Sequence, residues 1–183
     1  KLLGEQSPFT ERSFTICDEA HKLVGIVQNH FSPVMKPDDI GKMKNIAEFG
    51  LDNDTIVDEI EVIRRKIVSS SENSSILEYL EEYNGKMKVI SDGIDTIKRD
   101  ISVKTDNNES LSKEDRTSVY NCEFLENHIS SFSDYVEIIK SVGIHNMVKN
   151  YDDLSPDNIT FNCIDESYLM NKHFHTHCKN KMY

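Results

Sequence analysis

Apolar residues recur at helical spacing through the middle of this chain. Ile56, Ile60, Ile63 and Ile67 step by four, three and four positions, which predicts a helix over 54–70 with one buried face. The polar run from Ser69 to Ser75, rich in N-cap residues, then predicts a turn. Beyond it Ile76, Leu80, Tyr83, Met87, Ile90, Ile94, Ile97 and Ile101 keep a heptad seam without a slip. That seam predicts one helix of about 40 Å at 1.5 Å per residue, with Gly85 and Gly93 off the seam. Thr105 to Ser110 reads as a loop, and Ser112 with Asp115 three positions on resembles a capping box with the shorter acid. A second seam follows at Ser118, Cys122, Leu125, Ile129, Phe132, Val136 and Ile139. A loop this short forces the two helices antiparallel, so 76–142 reads as a helical hairpin whose seams are core.

The two ends have a different rhythm. Residues 13–18 read as a short buried strand and 19–30 as a helix with Ala20, Leu23, Val27 and Phe31 on one side. Ser32-Pro33 and Lys36-Pro37 break the chain, and Pro37 with Asp38-Asp39 starts a helix over 38–49 that Gly50 ends. After Gly143, residues 158–164 alternate polar and apolar as a half-exposed strand does. A helix over 166–176 and the start of a strand at 181–183 complete the reading. The expected class is mainly α: a long antiparallel helical hairpin inserted between short terminal α/β segments. The expected divisions are 1–35, 36–150 and 151–183.

Composition narrows this picture. A hydrophobic fraction of 37% in 183 residues is low for a globular body and suits long solvated helices. No apolar run is long enough to span a bilayer and no signal peptide opens the chain. Cys17, Cys122, Cys163 and Cys178 lie far apart without C-x-x-C spacing, so a reducing cytoplasm is the expected setting. The net charge of −11 is spread evenly and leaves no broad basic face for nucleic acid. The opening at Lys1 without an initiator Met, and the stop at Tyr183 inside an expected strand, read as the ragged ends of a segment from a larger protein.

The candidate chemistry begins at Asp18-Glu19-Ala20-His21, entered through Phe14-Thr15-Ile16-Cys17. Two adjacent acids at the C-terminal edge of a strand can hold Mg²⁺ and aim a water at a γ-phosphate. The same acids would also suit the first turn of a helix. No G-x-x-x-x-G-K-[ST] phosphate loop occurs, and the seven glycines are scattered singly, so this sequence holds half of an ATPase site. His173, His175 and His177 form a second candidate, with His173 and His177 at a Zn²⁺ ligand spacing on a helix; adventitious metal capture is the blander reading. Arg64, Arg65, Lys66, Lys86 and Lys88 are the best basic candidates for a DNA backbone, with Tyr79 and Tyr83 nearby; a solvated helix flank is the better reading of them.

Phe14 to Leu23, with Asp18-Glu19-Ala20-His21 at its centre, resembles motif II of the XPD/DinG family of superfamily-two DNA helicases. Members carry a helical arch domain directly after motif II and its following helix, and the chain then returns to the motor by a strand and a helix. The resemblance implies that 1–35 belongs to a RecA-like motor domain, 36–150 is the arch, and 151–183 is the return segment. It implies that Asp18 binds the Mg²⁺ of MgATP, Glu19 polarises the attacking water, and His21 relays the nucleotide state. It implies single-stranded or forked DNA as the parent's partner, with the acidic arch contributing shape or docking proteins rather than binding phosphate. Many members hold an iron–sulfur cluster on four cysteines before motif II; the cysteines here are spaced differently, and none is assigned to this chain. A fragment lacking the phosphate loop is expected to be inactive alone. The competing expectations are a non-enzymatic helical scaffold with a fortuitous Asp-Glu-Ala-His and a small metal module on the histidines.

Overall fold

Both seams close on each other as helices. The computed structural model describes residues 15–16, 22–47, 54–107, 109–165, 167–168 and 181–182. Helices α4 (Asn73–Asp106) and α5 (Lys113–Val142) form the hairpin. Glu81 pairs with Lys140 near one end and Lys104 with Asp115 near the other, so the helices run antiparallel. Ile76, Leu80, Tyr83, Met87, Ile90, Ile94 and Ile97 are buried as the spacing predicts, and Ile101 is half-buried. Opposite them lie Cys122, Leu125, Phe132, Val136 and Ile139, with Ile129 half-buried. The capping box forms: Ser112 Oγ accepts from the Asp115 N–H at 3.0 Å, and the Asp115 carboxylate accepts from the Ser112 N–H at 2.9 Å. At the far end of α5, Gly143 adopts φ 95, and a Cβ there would sit 2.8 Å from the His145 ring.

Two further helices pack onto this hairpin. Strand β1 (Thr15–Ile16), helix α1 (Leu23–His30), strand β2 (Val34–Met35), α2 (Asp38–Ala47) and α3 (Asp54–Ser69) precede it in the chain. Helix α3 lies against α4, and α2 touches α3, α4 and α5. Met43, Ile46, Val57, Ile60, Ile63 and Ile67 from these helices join one core with both seams. The end of α3 is secured from outside the helix. Lys149 Nζ donates to the Ile67 and Val68 carbonyls, each at 3.0 Å, and also to that of Ser70, satisfying acceptors a helix terminus leaves open.

The sheet departs from expectation. Strands β3 (Met147–Tyr151) and β4 (Ile159–Cys163) form a hairpin, and β2 adds on the other side of β4 in an antiparallel order β2-β4-β3. The strand expected at 158–164 is therefore central to a small antiparallel sheet, and its neighbours β2 and β3 carry no pattern that predicted them. Ile159, Phe161 and Cys163 face the helices and are buried. The sheet draws one strand from each of the three expected divisions of the chain. A second pair forms at the extremes: β1 runs parallel to β5 (Lys181–Met182), with Thr15 opposite Lys181 and Ile16 opposite Met182. The fold is thus mainly helical with a small three-stranded antiparallel sheet. Most of the helix expected over 166–176 lies outside the described residues. No described helix is long and apolar enough to cross a membrane.

Candidate functional site

Strand β1 ends at Ile16, two residues before Asp18, and helix α1 opens at Leu23. Asp18, Glu19 and His21 lie between them, outside the described residues, and so do His173, His175 and His177. The described flanks are a strand and a helix, in the order the motif requires.

The basic candidates are scattered over α3 and α4, each with its own local environment. Arg64 is only 6% exposed; its Nε and Nη2 donate to the two oxygens of Glu61 at 2.7 and 3.0 Å, and Nη1 reaches the Asp157 carbonyl at 3.4 Å. Arg65 donates to the same carboxylate at 2.8 Å. The hydrogen bond from Arg64, with Arg65 adding to it, holds the Glu61 carboxyl below its ordinary range. Lys66 is exposed, with Nζ 5.5 Å from the centroid of the Tyr79 ring. Lys86 donates to Glu59 at 2.6 Å, and that bond raises its pKa. Lys88 is exposed. Lys66 and Lys86 line a shallow groove between α3 and α4 that also carries Asp58, Glu59 and Glu82, so their charges are opposed within it.

A buried polar group that the periodicity did not single out lies where α2, α4 and α5 meet. Tyr83 Oη sits 2.8 Å from His128 Nε2, and His128 Nδ1 sits 3.9 Å from Asp39 Oδ2. All three side chains are buried: Asp39 is 2% exposed, Tyr83 1% and His128 7%. Burial first of all pushes the His128 pKa down to about 4; Asp39 opposes that and Lys42 adds to it. The ring is therefore neutral at pH 7. A proton on Nδ1 faces the carboxylate, which assigns Nε2 as acceptor for the Tyr83 hydroxyl. Burial also raises the Tyr83 phenol well above its ordinary value. The rings of Phe124 and Phe132 lie 5.8 and 4.7 Å from that of His128.

Asp39 has two unequal oxygens. Oδ2 accepts the Lys36 N–H at 2.8 Å, closing the first turn of α2, while Oδ1 has no hydrogen-bond partner among the described residues. Lys42 Nζ approaches Oδ1 to 3.6 Å and stands 3.3 Å from the Phe124 ring centroid. An unsatisfied acceptor in such a place costs about 1–3 kcal/mol, more for a charged group. Beside it a cleft of ≈ 340 Å³ opens between α2, the β2 approach and α5, with Asp39, Lys42 and His128 among its lining residues. The sequence signals were present but indirect: Asp39 stands three residues after Lys36, as a capping acid does, and His128 falls one position before the seam residue Ile129.

Compared with protein-family models, with curated proteins and with solved structures, the chain matches none.

Proposed function

We propose that this chain is the motif II and arch portion of an ATP-dependent DNA helicase of the XPD/DinG type. The observation that carries the reading is the parallel pairing of β1 with β5. Strands at 15–16 and 181–182 lie side by side while every other described element is spliced between them. An arch inserted between neighbouring strands of a RecA-like motor would bring such a parallel pair together, and the pairing supports the reading on that ground. Asp18 and Glu19 come two and three positions after β1 in the sequence, and α/β sheets bind their ligands beyond the carboxyl ends of their strands. Asp18 offers the hard oxygen donor that suits the Mg²⁺ of MgATP, Glu19 orients and polarises the water, and His21 communicates the nucleotide state. A phosphate loop, which this sequence does not contain, has to come from the rest of the parent protein.

In this reading α2 to α5 form one wall of a single-strand passage. Glu61 and Glu59 occupy Arg64, Arg65 and Lys86, so the wall contributes shape and protein docking more than phosphate affinity. The test is Glu19→Gln in the parent protein. Turnover of ATP with single-stranded DNA should fall about 10²–10⁴-fold, the range for losing a positioned base, while nucleotide binding stays close to wild type. Normal hydrolysis by that variant would remove Glu19 from the role and the reading with it.

A further inference from the structure

We infer that Ser155, at the end of the β3–β4 hairpin, is a phosphorylation site for a proline-directed protein kinase. The inference uses neither Asp18 nor Glu19, so it stands or falls separately from the helicase reading.

Serine precedes proline at Ser7-Pro8, Ser32-Pro33 and Ser155-Pro156. The first lies outside the described residues, and the fold treats the other two in opposite ways. Ser32 is half-buried, and its Oγ donates to the Gln28 carbonyl at 2.7 Å. The Pro33 carbonyl beside it accepts the Phe161 N–H at 3.0 Å, which ties this dipeptide to the sheet. A kinase reaches Ser32 only after the chain around β2 has left β4.

Ser155 stands free of such ties. Residues 152–157 are all exposed, Leu154 to 93%, and the Ser155 hydroxyl makes no hydrogen bond to the described residues. Two turns hold the backbone. The Ser155 N–H donates to the Asp152 carbonyl at 3.2 Å, and the Asn158 N–H donates to the Ser155 carbonyl at 2.8 Å. Pro156 takes the second position of the latter turn, where its fixed φ fits, and it biases Ser155 toward extended backbone. Opening these two turns offers an extended stretch to a kinase cleft while the strand pairing from Tyr151 and Ile159 inward stays intact. There Ser155 Oγ attacks the γ-phosphorus of ATP and the bond to the β,γ-bridging oxygen breaks. ADP leaves with that electron pair, and the kinase's catalytic carboxylate takes the hydroxyl proton.

The phosphate stays in water. Arg64 stands against this loop, with Nη1 3.4 Å from the Asp157 carbonyl, but it is 6% exposed and its Nε and Nη2 already hold both oxygens of Glu61. The modification therefore joins the carboxylates of Asp152, Asp153 and Asp157 and raises the loop from three negative charges to about five. It changes a contact surface and leaves the core alone.

The experiment offers the chain, and peptides of residues 27–38 and 150–161, to one purified proline-directed kinase with ATP. Phosphopeptide mapping of the chain should place phosphate at Ser155, and Ser155→Ala should remove it. The ratio of Ser155 to Ser32 phosphorylation should be about tenfold or more higher in the folded chain than between the peptides, because only the fold separates the two serines. Pro156→Ala should slow modification of Ser155 about tenfold. Both substitutions fall on exposed loop residues, so circular dichroism should match wild type. The same ratio in chain and peptides would overturn the inference, as would an unmodified Ser155 in a chain whose 150–161 peptide is accepted. An unchanged rate in Pro156→Ala, or no transfer to the 150–161 peptide, would overturn it as well.

Discussion

Near its base the α4–α5 hairpin meets α2, α3 and the β2-β4-β3 sheet, and its buried side chains there are large: Tyr83, Phe132 and Tyr135. Phe161 of β4 extends the cluster, with its ring 5.9 Å from that of Phe132 and 5.8 Å from that of Tyr135. Toward the loop the burial thins. Ile97 is buried, Ile101 and Ser118 are half-buried, and Val103 and Tyr120 are 54% and 63% exposed. Helical periodicity is continuous from one end to the other, yet the two ends are held by different physics. Packing from several sides secures the base, while a narrow aliphatic seam, a capping box and exposed ion pairs hold the tip.

The sharpest way to break this comparison is to delete volume at each end. Phe132→Ala should destabilise the fold by about 3–5 kcal/mol, because the aromatic cluster around it cannot collapse to fill the space. Ile101→Ala, at a half-exposed seam position, should cost about 1 kcal/mol. Urea denaturation of both variants reads the difference. Equal losses would mean that the tip is as tightly packed as the base.

Acid should act on the base through His128. Burial lowers its folded-state pKa from 6.5 to about 4, so between those values the unfolded chain binds a proton that the folded chain does not. Stability is therefore intact above about pH 6.5 and is lost as the pH falls through that interval, by up to about 3 kcal/mol. The tip behaves differently: Lys104 first, then the Ser112 N–H and hydroxyl, hold the Asp115 carboxyl down at about 2, so it stays charged throughout that window. Denaturation at successive pH values, for wild type against His128→Phe, isolates the contribution. Parallel profiles for the two proteins would show that His128 titrates normally.

The same contrast explains what could be read beforehand. The seams of α4 and α5, their antiparallel pairing and the Ser112–Asp115 box depend on contacts three, four or seven residues apart, which a linear pattern records. The base adds a second buried row on α5, His128 and Tyr135, again spaced by seven but set one residue before Ile129 and Val136. Nothing in α5 itself tells a polar His on that row from a solvated flank; Asp39 of α2 stands beside His128, and Phe161 of β4 packs against Tyr135. Strand β2 is two residues long and β3 does not alternate, so both exist through distant pairing with β4. Of the candidate chemistry, the acids after β1 stood out as a motif, with a strand expected before them and the start of another at 181–183. The orphaned Asp39 oxygen was not, because it depends on where Lys36, Lys42 and His128 converge in space.

The smallest expected effect tests whether the tip can open without the base. Ser112→Ala removes the acceptor for the Asp115 N–H and leaves a helix N-terminus short of a cap, a loss of about 1 kcal/mol. Because the stability of the base rests on a core that Ser112 does not touch, the loss should appear as local fraying rather than as a shift of the whole fold. Amide hydrogen exchange should then speed up about fivefold over the first turns of α5 and the last turns of α4, with amides around Tyr83 and Phe132 unchanged. The Lys104–Asp115 pair, with the lysine side chain 43% exposed, is too well solvated to substitute for the cap. Uniform acceleration at both ends would mean that the hairpin opens as one unit, and the division between a packed base and a tip held by local contacts would have to be given up.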